Sequence, residues 1–423
     1  MSEPPLALDV SRLLWRAIRK APGGIDRLEL AMARHLLAEE PSARFLFTDG
    51  GVVRTVKPAA LRRFTTAAAR RWEGTPGDAP CRRVAAYLAG DDAAFPLART
   101  RWTDRWVPLT DLARSSVAGM LHHRGAFEPG EPGGLANMVY LNLSHRNLDN
   151  PLLLAALARF SRVLCYLHDD IPLRQPRFAA PGLDASFRRM LLHLAQLPST
   201  VVTNSQTSRA RLMESATGLG VRLSRVEVVA PPVAEHFSLR AVPPLGIRPF
   251  FLLPGLVTAR KNIGLILRAC RENPAQAVGF DVVLAGAAGL DAAAVLAGMG
   301  EPPAGIRILR AEGLSDHAMA LLARGARAVL APSLDEGFDY PVHEALAGGV
   351  PVLASDIPAH REYVAGFAEL LDPHDAAAWG RALRDFTPAA SPRRSAALAA
   401  AERFSPPEPA QLMRRLAELA RGA

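Results

Sequence analysis

Cysteine is nearly absent. Three residues, Cys81, Cys165 and Cys270, are spread over 423 positions, too few and too far apart for a disulfide framework or a zinc-ligand spacing. Lysine is just as rare: only Lys20, Lys57 and Lys261 occur, so arginine carries almost all the positive charge. No apolar run reaches membrane-spanning length. The most apolar stretch, 151–167, is broken by Arg159 and Arg162. The first 20 residues mix Pro, Asp and Arg and lack an apolar segment behind a basic start, so no secretory signal is expected. No repeat with a period of 20–50 residues is visible, which excludes solenoids and propellers. These absences leave a cytoplasmic globular protein as the expectation.

What is present is charge of one sign, unevenly placed. Residues 1–250 hold 33 Lys and Arg against 22 Asp and Glu, whereas residues 251–423 hold 17 against 19. Two readings stay open: a compositional preference for arginine, or a basic surface for an anionic acceptor or membrane, which would place the protein peripherally at the inner membrane face. Nucleic acid is not expected as a partner, because the basic residues are not interleaved with aromatics.

Short apolar runs alternate with longer stretches of helical period. The expected strands are 6–10, 44–48, 138–143, 162–167, 200–203 and 226–229, then a second series at 250–254, 281–285, 306–309, 328–331, 351–354 and 369–371. Several are apolar throughout, as for parallel strands buried on both faces. Two such series predict two Rossmann-like, doubly wound α/β domains. The Pro-rich segment 236–249 reads as the linker. The expected domains are therefore 1–240, with an irregular insertion at about 72–135, and 250–400. A tail, 401–423, carries Leu412, Met413, Leu416, Leu419 and Ala420 at helical spacing.

The chemistry-bearing segments sit at strand ends. Ala331-Pro-Ser-Leu-Asp-Glu-Gly-Phe-Asp-Tyr-Pro-Val-His-Glu344 places Glu336 in the loop after a strand and Glu344 one turn into the next helix. Backbone N–H groups of Gly337, Phe338 and Asp339 precede that helix start, a favourable place for phosphate oxygens. Pro254-Gly-Leu-Val-Thr-Ala-Arg-Lys-Asn262 follows the first strand of the second series and places one of the three lysines beside Arg260. Tyr166-Leu-His-Asp-Asp-Ile-Pro172 ends a strand of the first series with His168, and Ala21-Pro-Gly-Gly-Ile-Asp-Arg27 opens a helix after the first strand. Asp169-Asp170 also admits a rival reading as a metal-binding carboxylate pair on a single mixed sheet. The two series of strands oppose it.

The segment 331–356 resembles the Glu-x7-Glu signature of glycosyltransferase family 4, the group 1 glycosyltransferases. It departs in having Asp339-Tyr340 where Gly-Leu is commoner. The resemblance extends over about residues 6–420 and is strongest at 250–373. It implies the GT-B architecture: two Rossmann-like domains across a cleft, the terminal helix returning to the first. It further implies a retaining, metal-independent transfer of a hexose from a nucleotide diphosphate sugar, such as GDP-mannose or a UDP-hexose, to a glycan or lipid-linked glycan in polysaccharide biosynthesis. No cofactor or metal ligand is implied. Arg260 and Lys261 would stabilise the departing diphosphate, Glu336 would hold the transferred sugar, and Glu344 would hold the ribose. Gly337, Phe338, Asp339, Gly255 and the Gly23-Gly24 loop would line the donor, with His168 facing the sugar. Leu256 stands where many relatives carry a phosphate-binding Thr or Arg. A nucleotide-sugar epimerase of the same fold and a catalytically silent nucleotide-sugar-binding protein are the alternatives. Donor identity, acceptor, linkage and oligomeric state are not written in these motifs.

Overall fold

Parallel strands buried on both faces are largely apolar, and the polar residues they do carry are enclosed with them. Leu6–Asp9 (β1), Val139–Asn142 (β4), Ser199–Thr203 (β6), Phe250–Pro254 (β8), Phe280–Ala285 (β9) and Val352–Ser355 (β12) are buried at every position. The computed structural model describes residues 3–16, 19, 21–49, 51–94, 126–128, 133–240, 248–272 and 279–422. These strands, with Arg44–Asp49 (β2), Val52–Val56 (β3), Arg162–Leu167 (β5), Arg225–Val228 (β7), Ile306–Ala311 (β10), Val329–Ala331 (β11) and Glu369–Leu371 (β13), form two sheets.

The first sheet runs β3-β2-β1-β4-β5-β6-β7 and the second β10-β9-β8-β11-β12-β13. Every pairing is parallel except β2 with β3. All twelve expected strands are present, within two residues at each end. Among the described residues only β3 was missed, although the Asp-Gly-Gly sequence at 49–51 was available as a turn signal for a strand folding back antiparallel.

The described residues divide into two units, one within 1–71, 106–232 and 407–423, the other within 72–105 and 233–406. This corrects three expected boundaries, of which the first is the tail: the returning segment starts at 407, and 401–406 belong to the second unit. Residues 233–240 belong to the second unit, because Phe237 is buried in its core. Residues 72–94, expected within an irregular insertion of the first domain, also belong to the second unit and include a regular helix, Ala79–Leu88. Of the remainder of that expected insertion, 95–125 and 129–132 lie outside the described residues, and 126–128 and 133–135 belong to the first unit.

The helix Ala79–Leu88 is placed by its two ends and one stripe. Asp78 caps it, accepting the Cys81 N–H at 2.7 Å. The other Asp78 oxygen accepts the hydroxyl of Ser315 at 2.9 Å, and Ser315 is itself the cap of the helix Asp316–Gly325. Cys81, Val84, Tyr87 and Leu88 form the buried stripe. The Tyr87 hydroxyl donates to Asp281 at 3.2 Å, and Arg307 holds the same buried carboxylate at 2.6 and 2.8 Å. The last helix, Pro409–Arg421, buries all five expected stripe residues against β4, β5 and the helix Gly24–Glu39 of the first unit. Arg421 fixes its end through Glu40 at 2.9 Å. Among the described residues, no helix is long and apolar enough to cross a membrane.

Tyr87→Ala should destabilise the second unit although the residue comes from the N-terminal half of the chain. The expected loss is about 3–5 kcal/mol, the scale for truncating a buried aromatic. Hydrogen exchange should show the protection of β8, β9 and β10 falling while that of β1, β4 and β5 is kept. A uniform loss, or one confined to the first sheet, would contradict this placement.

Candidate functional site

In an open parallel sheet, ligands bind at the carboxyl ends of the strands, where the strand order reverses. In the second sheet the chain leaves β8 to build β9 and β10, then returns to β11 on the other side of β8. The loops leaving β8 and β11 therefore flank the reversal point, and they carry the Arg260-Lys261 and Glu336 motifs.

Their side chains meet there. The Lys261 ammonium lies 2.9 Å from Glu336 Oε1 and 2.8 Å from Asp339 Oδ1. Arg260 pairs with the same Glu336 oxygen and donates to the Asp335 carbonyl at 2.7 Å. The Leu334 N–H returns a bond to the Arg260 carbonyl at 2.9 Å. Lys261, Glu336 and Asp339 are all buried. Burial pulls the Lys261 pKa down, but the Asp339 and Glu336 carboxylates outweigh it and leave the amine above its ordinary value. For Asp339, burial pushes upward, and the Lys261 charge with the His360 contact holds the carboxyl well below its usual range.

Two glycines make room for this arrangement. Gly255 has φ +110°, and a Cβ there would stand 3.3 Å from Lys261 Cε, so the lysine side chain runs across its bare face. A Cβ on Gly286, at the end of β9, would fall 1.9 Å from the Gly255 carbonyl oxygen. Asp339 takes the left-handed conformation, φ +64°, at the cap of the helix Tyr340–Ala347, and its side chain turns to Lys261 and His360 instead of capping. Leu256 is half exposed and stands outside the cluster.

The remaining second-unit candidates lie in the same loop and the helix that follows it. Glu344 lies in the helix Tyr340–Ala347 and is buried. Gly337 is buried in the β11 loop. The Phe338 side chain is core: it stacks on His343 with ring centroids 3.7 Å apart and meets Tyr340 and Tyr363 edge-on. Only its backbone is left to face a ligand. Burial lowers His343 to about 4, against the pull of Asp339, so that imidazole is neutral near pH 7. His360 and Gly286 were missed in the sequence. A glycine directly after the β9 apolar run was the signal available for Gly286, and nothing marked His360.

His168, Gly23 and Gly24 belong to the first unit. There the strand order reverses between β1 and β4, with β5 next to β4. His168 follows β5; its Nε2–H donates to the Leu143 carbonyl at 2.8 Å, and Asn204 holds the His168 carbonyl at 2.6 Å. Burial lowers its pKa to about 4. Nδ1, left as an acceptor, has no partner among the described residues. The Gly23 N–H donates to Asp26 at 2.7 Å, which pins the Gly23-Gly24 turn, and Arg12 and Arg16 bind the same carboxylate at 2.9 and 3.1 Å. One turn along the helix, Glu29 is fully enclosed 3.6 Å from Arg12 Nε. Asp169 and Asp170 hold structure: Asp169 accepts the Ile171 N–H at 3.1 Å, and Asp170 accepts from Arg174 at 2.9 Å and Ser215 at 2.7 Å.

Burial raises Glu29 to about 8, with Arg12 opposing and Asp26 adding to the shift. Between the ordinary carboxyl pKa and about 8, the folded state holds a proton that the unfolded chain has released. Stability from this group is therefore complete at low pH and is lost as pH rises toward 8. Glu29→Gln should flatten the decline in urea-unfolding free energy between pH 5 and 9 and be more stable than the parent at pH 9. A variant that is less stable at pH 9 would refute a protonated Glu29.

Comparison with known proteins bears on the family and the fold. Residues 240–402 match the model of the glycosyl transferases of group 1. A segment of 72 residues is 36% identical to the O-antigen chain mannosyltransferase RfbU of Salmonella typhimurium, a match spanning 17% of this chain and 20% of that protein's length. The structure of HepE from Anabaena, in complex with UDP and glucose, superimposes with a TM-score of 0.57 at 16% identity over 100% of both chains. Sucrose-phosphate synthase from Thermosynechococcus elongatus does so with a TM-score of 0.56 at 14% identity, over 99% of this chain and 96% of that one. Over residues 240–402 the chain thus matches the group 1 glycosyl transferases, and along its length it has the GT-B fold of those structures.

Proposed function

We propose that this protein is a retaining, metal-independent glycosyltransferase that moves a hexose from a nucleotide diphosphate sugar to a glycan or lipid-linked glycan acceptor. The observation that carries the reading is the meeting of Arg260, Lys261 and Glu336 at the reversal point of the second sheet, within the matched region. A buried ammonium and a partly exposed guanidinium at the carboxyl edge of a parallel sheet suit a diphosphate, whose charge grows as the glycosidic bond breaks. The paired carboxylates keep those cations stable while no phosphate is bound. On donor binding, Arg260 and Lys261 would exchange Glu336 for phosphate oxygens, releasing Glu336 to the sugar hydroxyls. Glu344 would accept from the ribose hydroxyls.

His168 would accept a sugar hydroxyl at Nδ1, its other nitrogen being committed to Leu143. Retention of configuration follows if the acceptor attacks from the face that the phosphate leaves, with a phosphate oxygen taking the proton. The donor would be of mannose or glucose type, GDP-mannose or a UDP-hexose; the RfbU match supports mannose, and polysaccharide biosynthesis is the setting. The basic first 250 residues suit weak contact with an anionic inner membrane face from the cytoplasm.

Transfer from a matched donor should survive EDTA, because Arg260 and Lys261 supply the charge that a metal ion provides elsewhere. Loss of activity on chelation, restored by Mn²⁺ or Mg²⁺, would overturn metal independence. Analysis of the anomeric configuration of the product checks retention in the same assay.

The two glutamates should fail differently. The ribose is unchanged by the reaction, so Glu344→Gln should mainly raise the donor KM. Glu336 faces developing positive charge, so Glu336→Gln should lower kcat by roughly 100-fold or more, and Lys261→Ala should do likewise. Steady-state kinetics of the three variants decide; a Glu336→Gln enzyme with unchanged kcat would remove Glu336 from that role.

A further inference from the structure

The motif in the β11 loop carries an aspartate in a left-handed conformation, where a glycine is the least strained residue. Its carboxylate bridges two loops. Asp339 Oδ1 takes the Lys261 ammonium at 2.8 Å and Oδ2 faces His360 Nε2 at 3.2 Å. On its far side, His360 Nδ1 lies 2.7 Å from the Ser355 carbonyl at the end of β12. A carbonyl only accepts, so Nδ1 carries a proton. A bond from Nε2 to a carboxylate needs a second proton, which makes His360 a cation. The charges converging here are then Arg260, Lys261 and His360 against Glu336 and Asp339. His343, which donates from Nδ1 to the Asp339 carbonyl at 3.1 Å, adds none.

We propose that His360 is a positioning residue for the donor diphosphate: by neutralising Asp339 from behind, it leaves the Lys261 charge available to phosphate. With a neutral residue at 360, Asp339 and Glu336 together would cancel Arg260 and Lys261, and an incoming diphosphate would meet a cluster with no net charge. With His360 in place the cluster carries one net positive charge, and Asp339 can loosen its hold on Lys261 without becoming an unpaired buried anion. His360 itself touches neither sugar nor phosphate in this scheme. The inference rests on the reading of the second unit as a nucleotide diphosphate sugar site, and it assigns a role to a pair, Asp339 with His360, that the Arg260-Lys261 and Glu336 motifs do not require.

The test is a two-residue cycle read by calorimetric titration of UDP and GDP into the full chain. His360→Gln keeps a donor near Asp339 but supplies no charge, and should weaken diphosphate binding about tenfold, the scale of one charge-assisted contact. Asp339→Asn, which tolerates the left-handed backbone, removes the anion that His360 neutralises. The double variant Asp339→Asn/His360→Gln should therefore bind to within about threefold of the parent. Thermal unfolding of all four proteins separates misfolding from lost charge, because the double variant should recover binding without needing to recover melting temperature. Equal weakening by His360→Gln with and without Asp339, or no weakening at all, overturns the role of His360 and leaves the proposed function standing. A parent chain that binds neither UDP nor GDP overturns both.

Discussion

A buried ammonium has to be paired, and the second unit is arranged around that requirement at Lys261. Removing its charge from water is tolerable only because Glu336 and Asp339 approach within hydrogen-bond distance. Those carboxylates come from a loop 75 and 78 residues further along the chain, and the side chain reaches them by crossing the face of Gly255. Gly286 in turn packs against the Gly255 carbonyl with no room for a side chain of its own. Asp339 must adopt a left-handed backbone to aim its carboxylate, and His360 then holds the second oxygen of that carboxylate. One desolvated charge thus ties together the ends of β8, β9, β11 and β12.

The first unit solves burial differently. Beside its ion pairs, Arg12 and Arg16 with Asp26 and Arg174 with Asp170, three of its enclosed titratable groups are held uncharged: burial lowers His145 to about 3 and His168 to about 4, and raises Glu29 to about 8. Neutral acceptors and donors suit hydroxyl groups, whereas the compensated charges of the second unit suit phosphate. Two sheets of similar topology therefore carry different electrostatics at their reversal points. The difference follows from whether opposite charges reach one another, as at Lys261, or are too distant to offset burial, as at His168.

Much of the fold was legible because strands buried on both faces are largely apolar, and several such runs stand among the twelve short ones that alternate with helical stretches in the sequence. The hairpin partner β3 was not legible by that rule: Val52 and Arg54 are exposed on an edge, so its apolar content alternates. The helix Ala79–Leu88 was misread for a related reason. Its stripe of Cys81, Val84, Tyr87 and Leu88 is short and flanked by Pro and Gly, and its anchors, Ser315 and Asp281, lie more than 190 residues away. The end of the supposed linker was misread because Phe237, a single aromatic among prolines, packs into the second core.

The sequence by itself determined the two sheets, the amphipathic last helix and the strand-end positions of the Arg260-Lys261, Glu336 and His168 motifs, because apolar periodicity and turn residues are local properties of a chain. The tertiary structure alone decided which of those motifs share a crevice and what charge each group bears. Lys261 meets Glu336 because β8 and β11 are neighbours at the reversal of strand order, and strand order is not a local property. Asp339 was visible only as a departure from glycine. Its binding of Lys261 and His360 needed a left-handed backbone angle and a histidine from the loop after β12. Protonation states were undecided in the sequence for the same reason: burial and the distance to the nearest opposite charge set them, and both exist only once the chain is folded.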